Sequence, residues 1–253
     1  MNLTPTERAE RREAFRRMNA AQKAEYIASY YKLPIVLTLL FAYVLCYGAY
    51  RHFSRKEVAL YVMCANVAVS DGTADVLSEG FLRFRGMDVR KNETYLYHNL
   101  YFSDNPSLAN HEYAYASRLK LLAAVNAEQA DVVLMNREAY RLLSEGGYLL
   151  ELSSCLSGSN PDLYRRLRPC LVENKVILED NGIEVALGEA DSYRAAEICQ
   201  TNALDVSRFP AFLDANFTDS VFLGVIRNSP RVAVAMEYIA YLDGTAARDS
   251  GGN

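Results

Sequence analysis

VALYVMCANVAV, residues 58–69, carries no charged residue and is crowded with valine and alanine. A strand that covers a core with one face alternates apolar and polar residues, whereas a short unbroken apolar run reads as a strand buried on both faces, as in a parallel sheet. The turn residues Ser70, Asp71 and Gly72 close it. Behind them Leu77, Phe81 and Phe84 recur at helical spacing, and residues 94–102, TYLYHNLYF, return to extended, aromatic-rich sequence. The order predicts one βαβ unit at the opening of an α/β domain.

A second unit follows. Asn105-Pro106 marks the start of a helix with Tyr115, Leu119 and Leu122 on one face, and ADVVLMN, residues 130–136, reads as a short buried strand. A helix through Tyr140 and Leu143 then stops at Gly146-Gly147. Alternation of this kind predicts a parallel sheet with right-handed crossovers. Past Leu152 the pattern changes. Asn160-Pro161 caps a short helix ending near Leu171, and NKVILED and IEVALG, joined across Asn181-Gly182, predict a β-hairpin. Ser220 to Ile226 reads as a strand, and Ser229-Pro230 begins a helix whose Val234, Tyr238 and Tyr241 share a face before Asp243-Gly244.

Upstream lies LPIVLTLLFAYVLCYGAY, residues 33–50, without a charged residue. At 1.5 Å per residue it approaches the roughly 30 Å of a hydrocarbon core. Ile27 to Tyr31 lengthen it, Tyr26, Tyr30 and Tyr31 at one end and Tyr47 and Tyr50 at the other suit the two interfaces, and Lys32 can snorkel outward. A buried core helix is the alternative, but it would normally show a polar face. No small-x-small cleavage site follows, so the segment reads as a retained signal anchor. Arg16, Arg17, Lys23 and Lys32 before the span, with Arg8, Arg11 and Arg12 further out, outnumber Arg51, Arg55 and Lys56 after it, which favours an N-terminus inside the cell. The seven basic and four acidic residues up to Lys32 leave the rest of the chain at −7 within a total of −4. That acidic remainder argues against nucleic acid as a partner.

The resulting plan is a cytoplasmic juxtamembrane helix over 1–32, opened by the Thr4-Pro5-Thr6-Glu7 start signal, and a transmembrane helix over 33–50. A linker over 51–57, an extracytoplasmic α/β domain over 58–244 and a disordered tail over 245–253 complete it.

The buried opening strand, the segment SRLKLLAAVNAEQADVVLMNREAYRLLSEGGYLLELS at 117–153 and VFLGVIRNSPRVAVAMEYIAYL at 221–242 together resemble bacterial extracellular solute-binding proteins of the type 2 periplasmic-binding fold. Gly147, Leu149 and Leu152 match that family's G-x-L-x-x-L stretch. Asn228, Ser229 and Pro230 match its N-S-P turn, after which a helix packs back on the first lobe. The resemblance implies a periplasmic-binding-like α/β domain, a small-molecule solute and a companion permease. It departs from the family in keeping a spanning helix, and residues between Leu152 and Ser220 are too few for a full second lobe, so a reduced one is expected.

In open α/β sheets ligands bind beyond the carboxyl ends of the strands. The candidate ligand-binding residues are therefore Asn66 and Ser70 after the first strand, Ser103 and Asp104 after the second, and Asn136 and Arg137 after the third. Each type also serves as an ordinary cap or turn residue. No catalytic residue is assigned: His52, His98 and His111 are the only histidines, and no nucleophile elbow, HExxH, phosphate loop or GxGxxG is found. Cys46, Cys64, Cys155, Cys170 and Cys199 form no metal-ligand spacing, and no cofactor is implied. Whether Cys155 and Cys170 form a disulfide stays open. Tyr95, Tyr97 and Tyr101 share one strand face, either as a stacking surface or as packing beneath a helix. The function expected is a membrane-anchored, extracytoplasmic solute-binding-like module for sensing or capture; the alternative is a scaffold or interaction protein of a membrane complex.

Overall fold

The computed structural model describes residues 16–19, 32–53, 56–103, 111–212, 215, 217 and 219–244, and the chain divides into two units, Met1–Arg55 and Lys56–Asn253. The juxtamembrane start signal at Thr4, the Asn105-Pro106 helix start, Asp104 and the tail from 245 lie outside the described residues.

In the first unit, α1 (Lys32–Phe53) is one uninterrupted helix of 22 residues, about 33 Å at 1.5 Å per residue. Its large apolar side chains are exposed, Leu39 and Phe41 at 65% each. Among the residues described together with their side chains, no helix is long and apolar enough to cross a membrane.

In the second unit, six strands form one mixed sheet: β1 (Glu57–Ala65), β2 (Asn92–Leu100), β3 (Val132–Met135), β4 (Leu171–Asp180), β5 (Ala195–Asp205) and β6 (Phe222–Val225), in the order β2-β1-β3-β6-β5-β4. β1 runs parallel to both β2 and β3, as the two βαβ units require. The remaining neighbours are antiparallel, so the sheet is parallel only in its first half.

The unbroken apolar reading of β1 and β3 has its cause in two-sided burial. Leu60, Val62, Cys64, Val132 and Leu134 face one core, while Met63, Ala65, Val133 and Met135 face the other. The first core is closed by α2 (Asp71–Asp75), a π-helical turn (Val76–Gly80), α3 (Phe81–Phe84) and three later helices: α6 (Leu152–Ser159), α7 (Pro161–Leu167) and α9 (Val232–Leu242). The second is closed by α4 (His111–Asn126) and α5 (Arg137–Glu145). Burial on both faces also leaves Cys64 fully enclosed, and that burial pushes its thiol up to about 12, so it stays protonated at neutral pH.

The local start and stop signals act as read. Asn160 caps α7, its side chain accepting from the Leu163 N–H with Pro161 at the first helical position, and Gly147, at φ +69, follows the end of α5. The helix after the N-S-P turn packs back on the first segments: the Tyr238 hydroxyl donates to the Leu77 carbonyl at 3.0 Å, and its ring meets Phe81 edge-on at 4.8 Å. The Tyr241 hydroxyl donates to the Val76 carbonyl in the π-helical turn, and it occupies the space where any Cβ on Gly80 would sit.

Two expectations need correction, and one open question closes. IEVALG is not a strand: its first residues form α8 (Gly182–Ala186), and β4 pairs instead with β5, the turn being opened by Asn181, whose side chain binds Ser192 and Arg194 across the loop. The Asn-Gly signal marked the hairpin but not its partner strand, because the loop has its own pinned helical turn. The described residues between Leu152 and Ser220 form no reduced second lobe; β5 joins β6, which places them in the same sheet. Cys155 and Cys170 are both free thiols.

One buried carboxylate ties the sheet to its closing helix. Asp131, fully buried just before β3, accepts from the Tyr61 N–H of β1 (2.7 Å), the Ser229 hydroxyl (2.6 Å) and the Arg231 guanidinium (2.8 Å). Arg231 also donates to the Gln129 carbonyl at 2.7 Å. Removing one partner of such a pair strands a charge or a donor in the interior. Asp131→Ala is expected to lower the unfolding free energy by about 3 kcal/mol in urea titration; a midpoint equal to that of the parent protein would show that the network carries no stability.

Candidate functional site

The carboxyl ends of β1 and β3 open into two adjoining hollows of about 510 and 480 Å³. Asn136, Asp219 and Ser220 line both. Arg137, Glu138 and Arg141 complete the first, and Asn66, the chain from Val67 to Ser70, and Phe217 contribute to the second. Four of the six sequence candidates therefore line this pair of hollows, Asn66 and Ser70 the second, Arg137 the first and Asn136 both. Ser103 is not among the lining residues, and Asp104 lies outside the described residues.

Each converging residue is placed by backbone demands. Asn66 adopts φ +57, a conformation that asparagine tolerates better than most side chains. There its amide oxygen accepts from the Phe102 N–H, and its amide nitrogen donates to the Phe102 carbonyl, both at 2.8 Å, extending the β1–β2 ladder by one side chain. The same nitrogen donates to the Asn136 side-chain oxygen at 3.2 Å. That oxygen also caps α5, accepting from the Ala139 N–H at 2.9 Å. Ser70 caps α2 through the Thr73 N–H. The capping alternative is thus real for Ser70 and Asn136, while Asn66 holds the end of β2, and all three roles coexist with a position on the wall of the cleft.

Arg137, at the first residue of α5, is exposed with its guanidinium 5.4 Å from the centre of the Phe222 ring, a cation–π contact that holds the cation near the mouth. The N-terminus of α5 adds partial positive charge from its unpaired N–H groups, while exposed Asp219 supplies a carboxylate on the facing segment. The arrangement offers the positive end of a helix, a cation and a carboxylate, which suits a small solute carrying polar groups of both signs.

Sequence reasoning missed Asp219 and Ser220. They precede β6, which runs antiparallel to β3 and so begins where β3 ends; the strand itself was legible, its direction was not. Tyr95, Tyr97 and Tyr101 are divided between the two readings. Lys120 of α4 sits 3.8 Å over the Tyr97 ring and Ser117 accepts from the Tyr101 N–H, so α4 does pack on the strand, while Tyr95, 4.7 Å from Tyr61, is 41% exposed. Among the described residues no group of three or more histidine, cysteine, aspartate or glutamate side chains could hold a metal ion.

Comparison with known protein families, with curated proteins and with solved structures finds no match.

The shared oxygen of Asn136 makes the wall of the cleft a structural element. Asn136→Ala removes the α5 cap and the Asn66 contact together and is expected to cost about 1 to 2 kcal/mol in urea titration. A loss of only a few tenths would mean that water replaces both contacts without penalty.

Proposed function

We propose that this chain is a single-pass membrane protein of bacterial type, anchored by α1 with its N-terminus in the cytoplasm, whose extracytoplasmic α/β domain captures or senses a small solute in the cleft beyond β1 and β3. The observation that carries this reading is that Asn66, Ser70, Asn136 and Arg137 line, with Asp219 and Ser220, two adjoining open hollows that share Asn136, Asp219 and Ser220. It is supported by the return of α9 onto the first helices after the N-S-P turn, as the resemblance to solute-binding proteins implies. A companion permease would be the natural recipient of the solute.

The absence of a separate second lobe among the described residues favours a second reading, a scaffold in a membrane complex, because a cleft with no opposing lobe buries less of a ligand. The two readings differ in ligand response. Full-length protein in detergent, screened by thermal shift against amino acids, sugars and short peptides, is expected to gain several degrees from one class. A ligand at a hundred times its Kd adds about 2.7 kcal/mol. The gain should vanish in Arg137→Ala. No shift with any class would leave the scaffold reading standing and sink the capture reading.

The anchor has its own test. Placing arginine at both Leu39 and Leu40 adds roughly 2.5 to 3.5 kcal/mol per charge at the centre of the span. The double variant is expected in the soluble fraction after cell lysis, whereas the parent protein needs detergent; equal behaviour of the two would refute the span.

A further inference from the structure

Helix α4 has two apolar faces, and the domain covers one of them. Ala114, Ser117, Leu121, Ala124 and Val125 are buried, the last three in the core beneath β1 and β3. On the opposite side Tyr115 is 60% exposed and Leu119 49%, Ala116 and Ala123 are exposed, and Leu122 is half-buried. At about 100° per residue these five fall within about 60° of Leu119 and form one stripe. Glu112 and Asn126, both exposed, close the stripe at its two ends. Arg118 and Lys120 stand about 100° to either side of Leu119, off the stripe, with Lys120 turned over the Tyr97 ring. The outward face of a surface helix is ordinarily charged or polar, and a helix apolar on both sides is one that is covered on both sides.

The order of sizes along the stripe names the cover. Two copies of α4 packed antiparallel, with a two-fold axis at Leu119, set Tyr115 level with the copy's Ala123, Ala116 level with its Leu122, and Glu112 level with its Asn126. Each large side chain then meets a small one, and the carboxylate at each end meets an amide that donates to it. A two-fold contact must be self-complementary in this sense. A parallel copy in register would instead set Tyr115 on Tyr115, Leu122 on Leu122 and Glu112 on Glu112, bulk against bulk and charge against like charge. We infer that α4 is a dimerisation surface, at which two copies of this chain pair antiparallel about Leu119. The pairing uses only residues of the second unit and depends on neither the anchor nor the solute. At about 21 Å from Glu112 to Asn126 and about 10 Å across, the face is well under the roughly 800 Å² per partner of a standard interface, so the dimer is a weak and reversible one.

Cysteine pairing reads this register directly. Full-length protein in detergent would carry serine in place of Cys46, Cys155, Cys170 and Cys199, leaving the fully buried Cys64. Leu119→Cys, Tyr115→Cys and Ala123→Cys are then introduced singly. Ile183→Cys, at a position 76% exposed at the tip of the β4–β5 ribbon, measures random collision. Under mild oxidation, covalent dimers on non-reducing gels are expected several-fold above the Ile183→Cys level for Leu119→Cys alone and for an equal mixture of Tyr115→Cys with Ala123→Cys. Tyr115→Cys alone is expected at the collision level, because two such positions lie about 12 Å apart along the pair and a disulfide spans about 4.4 to 6.8 Å between Cα atoms. Self-linking of Tyr115→Cys at or above the yield of the mixture would overturn the antiparallel pair, as would linking of Leu119→Cys without the mixed pair. Collision-level yields throughout would overturn the dimer and leave the face to a different protein. Leu119→Asp, at an exposed position where the thermal midpoint is expected to hold, should abolish the Tyr115→Cys with Ala123→Cys link when added to both chains. Persistent linking would place the contact elsewhere and overturn the assignment to this face.

Discussion

The fold depends on a carboxylate held out of water. Asp131 stands at the point where the chain enters the short interior strand β3, and three distant segments, β1, the turn after β6 and the start of α9, each supply it with a donor. A charge in that position is costly unless every lone pair finds a partner, so the three segments can be in place together or not at all. Four-residue strands such as β3 and β6 have little pairing of their own to keep their register. The Asp131 cluster contributes that register from one end, and the apolar residues on both faces of β1 and β3 provide the bulk of the stabilisation.

A second polar cluster plays the same part at the antiparallel half. The Tyr140 hydroxyl donates to Asn202, Asn202 donates to Ser144, and Ser144 donates to the Lys175 carbonyl, a buried chain that fastens α5 to β5 and β4. Since α5 is also capped by Asn136, the helix that borders the candidate cleft is fixed at its start by Asn136 and along its body by Tyr140 and Ser144. Rigidity at the wall of a binding site lowers the ordering cost of ligand capture. The same contacts explain why the wall residues are so fully engaged with their own backbone.

The domain is polar in the geometric sense. Parallel β1 and β3 bring their carboxyl ends, and with them every converging candidate residue, to one end of the sheet, and the ribbon that carries α8 runs to the other.

Much of this was legible in the residues. The apolar runs at 58–69 and 130–136 announced strands buried on both faces, Asn136, Asn160 and the Gly146-Gly147 pair marked helix ends, and placement beyond strand ends put Asn66, Ser70, Asn136 and Arg137 near one another. These are local or period-two signals, written in side-chain size and backbone preference within a few residues. Three things were not legible, and they share a cause. The partner of β4, the direction of β6 with the Asp219 and Ser220 it delivers to the cleft, and the union of residues after Leu152 with the first sheet all depend on hydrogen bonds between segments far apart in the chain. A strand's apolar pattern states which faces it buries and is silent about which neighbour it bonds and which way that neighbour runs. The elements and their ends are thus properties of short stretches of chain, readable one stretch at a time. Their pairing belongs to the folded whole, because it is settled by competition among many equally apolar strands for a few unsatisfied backbone groups.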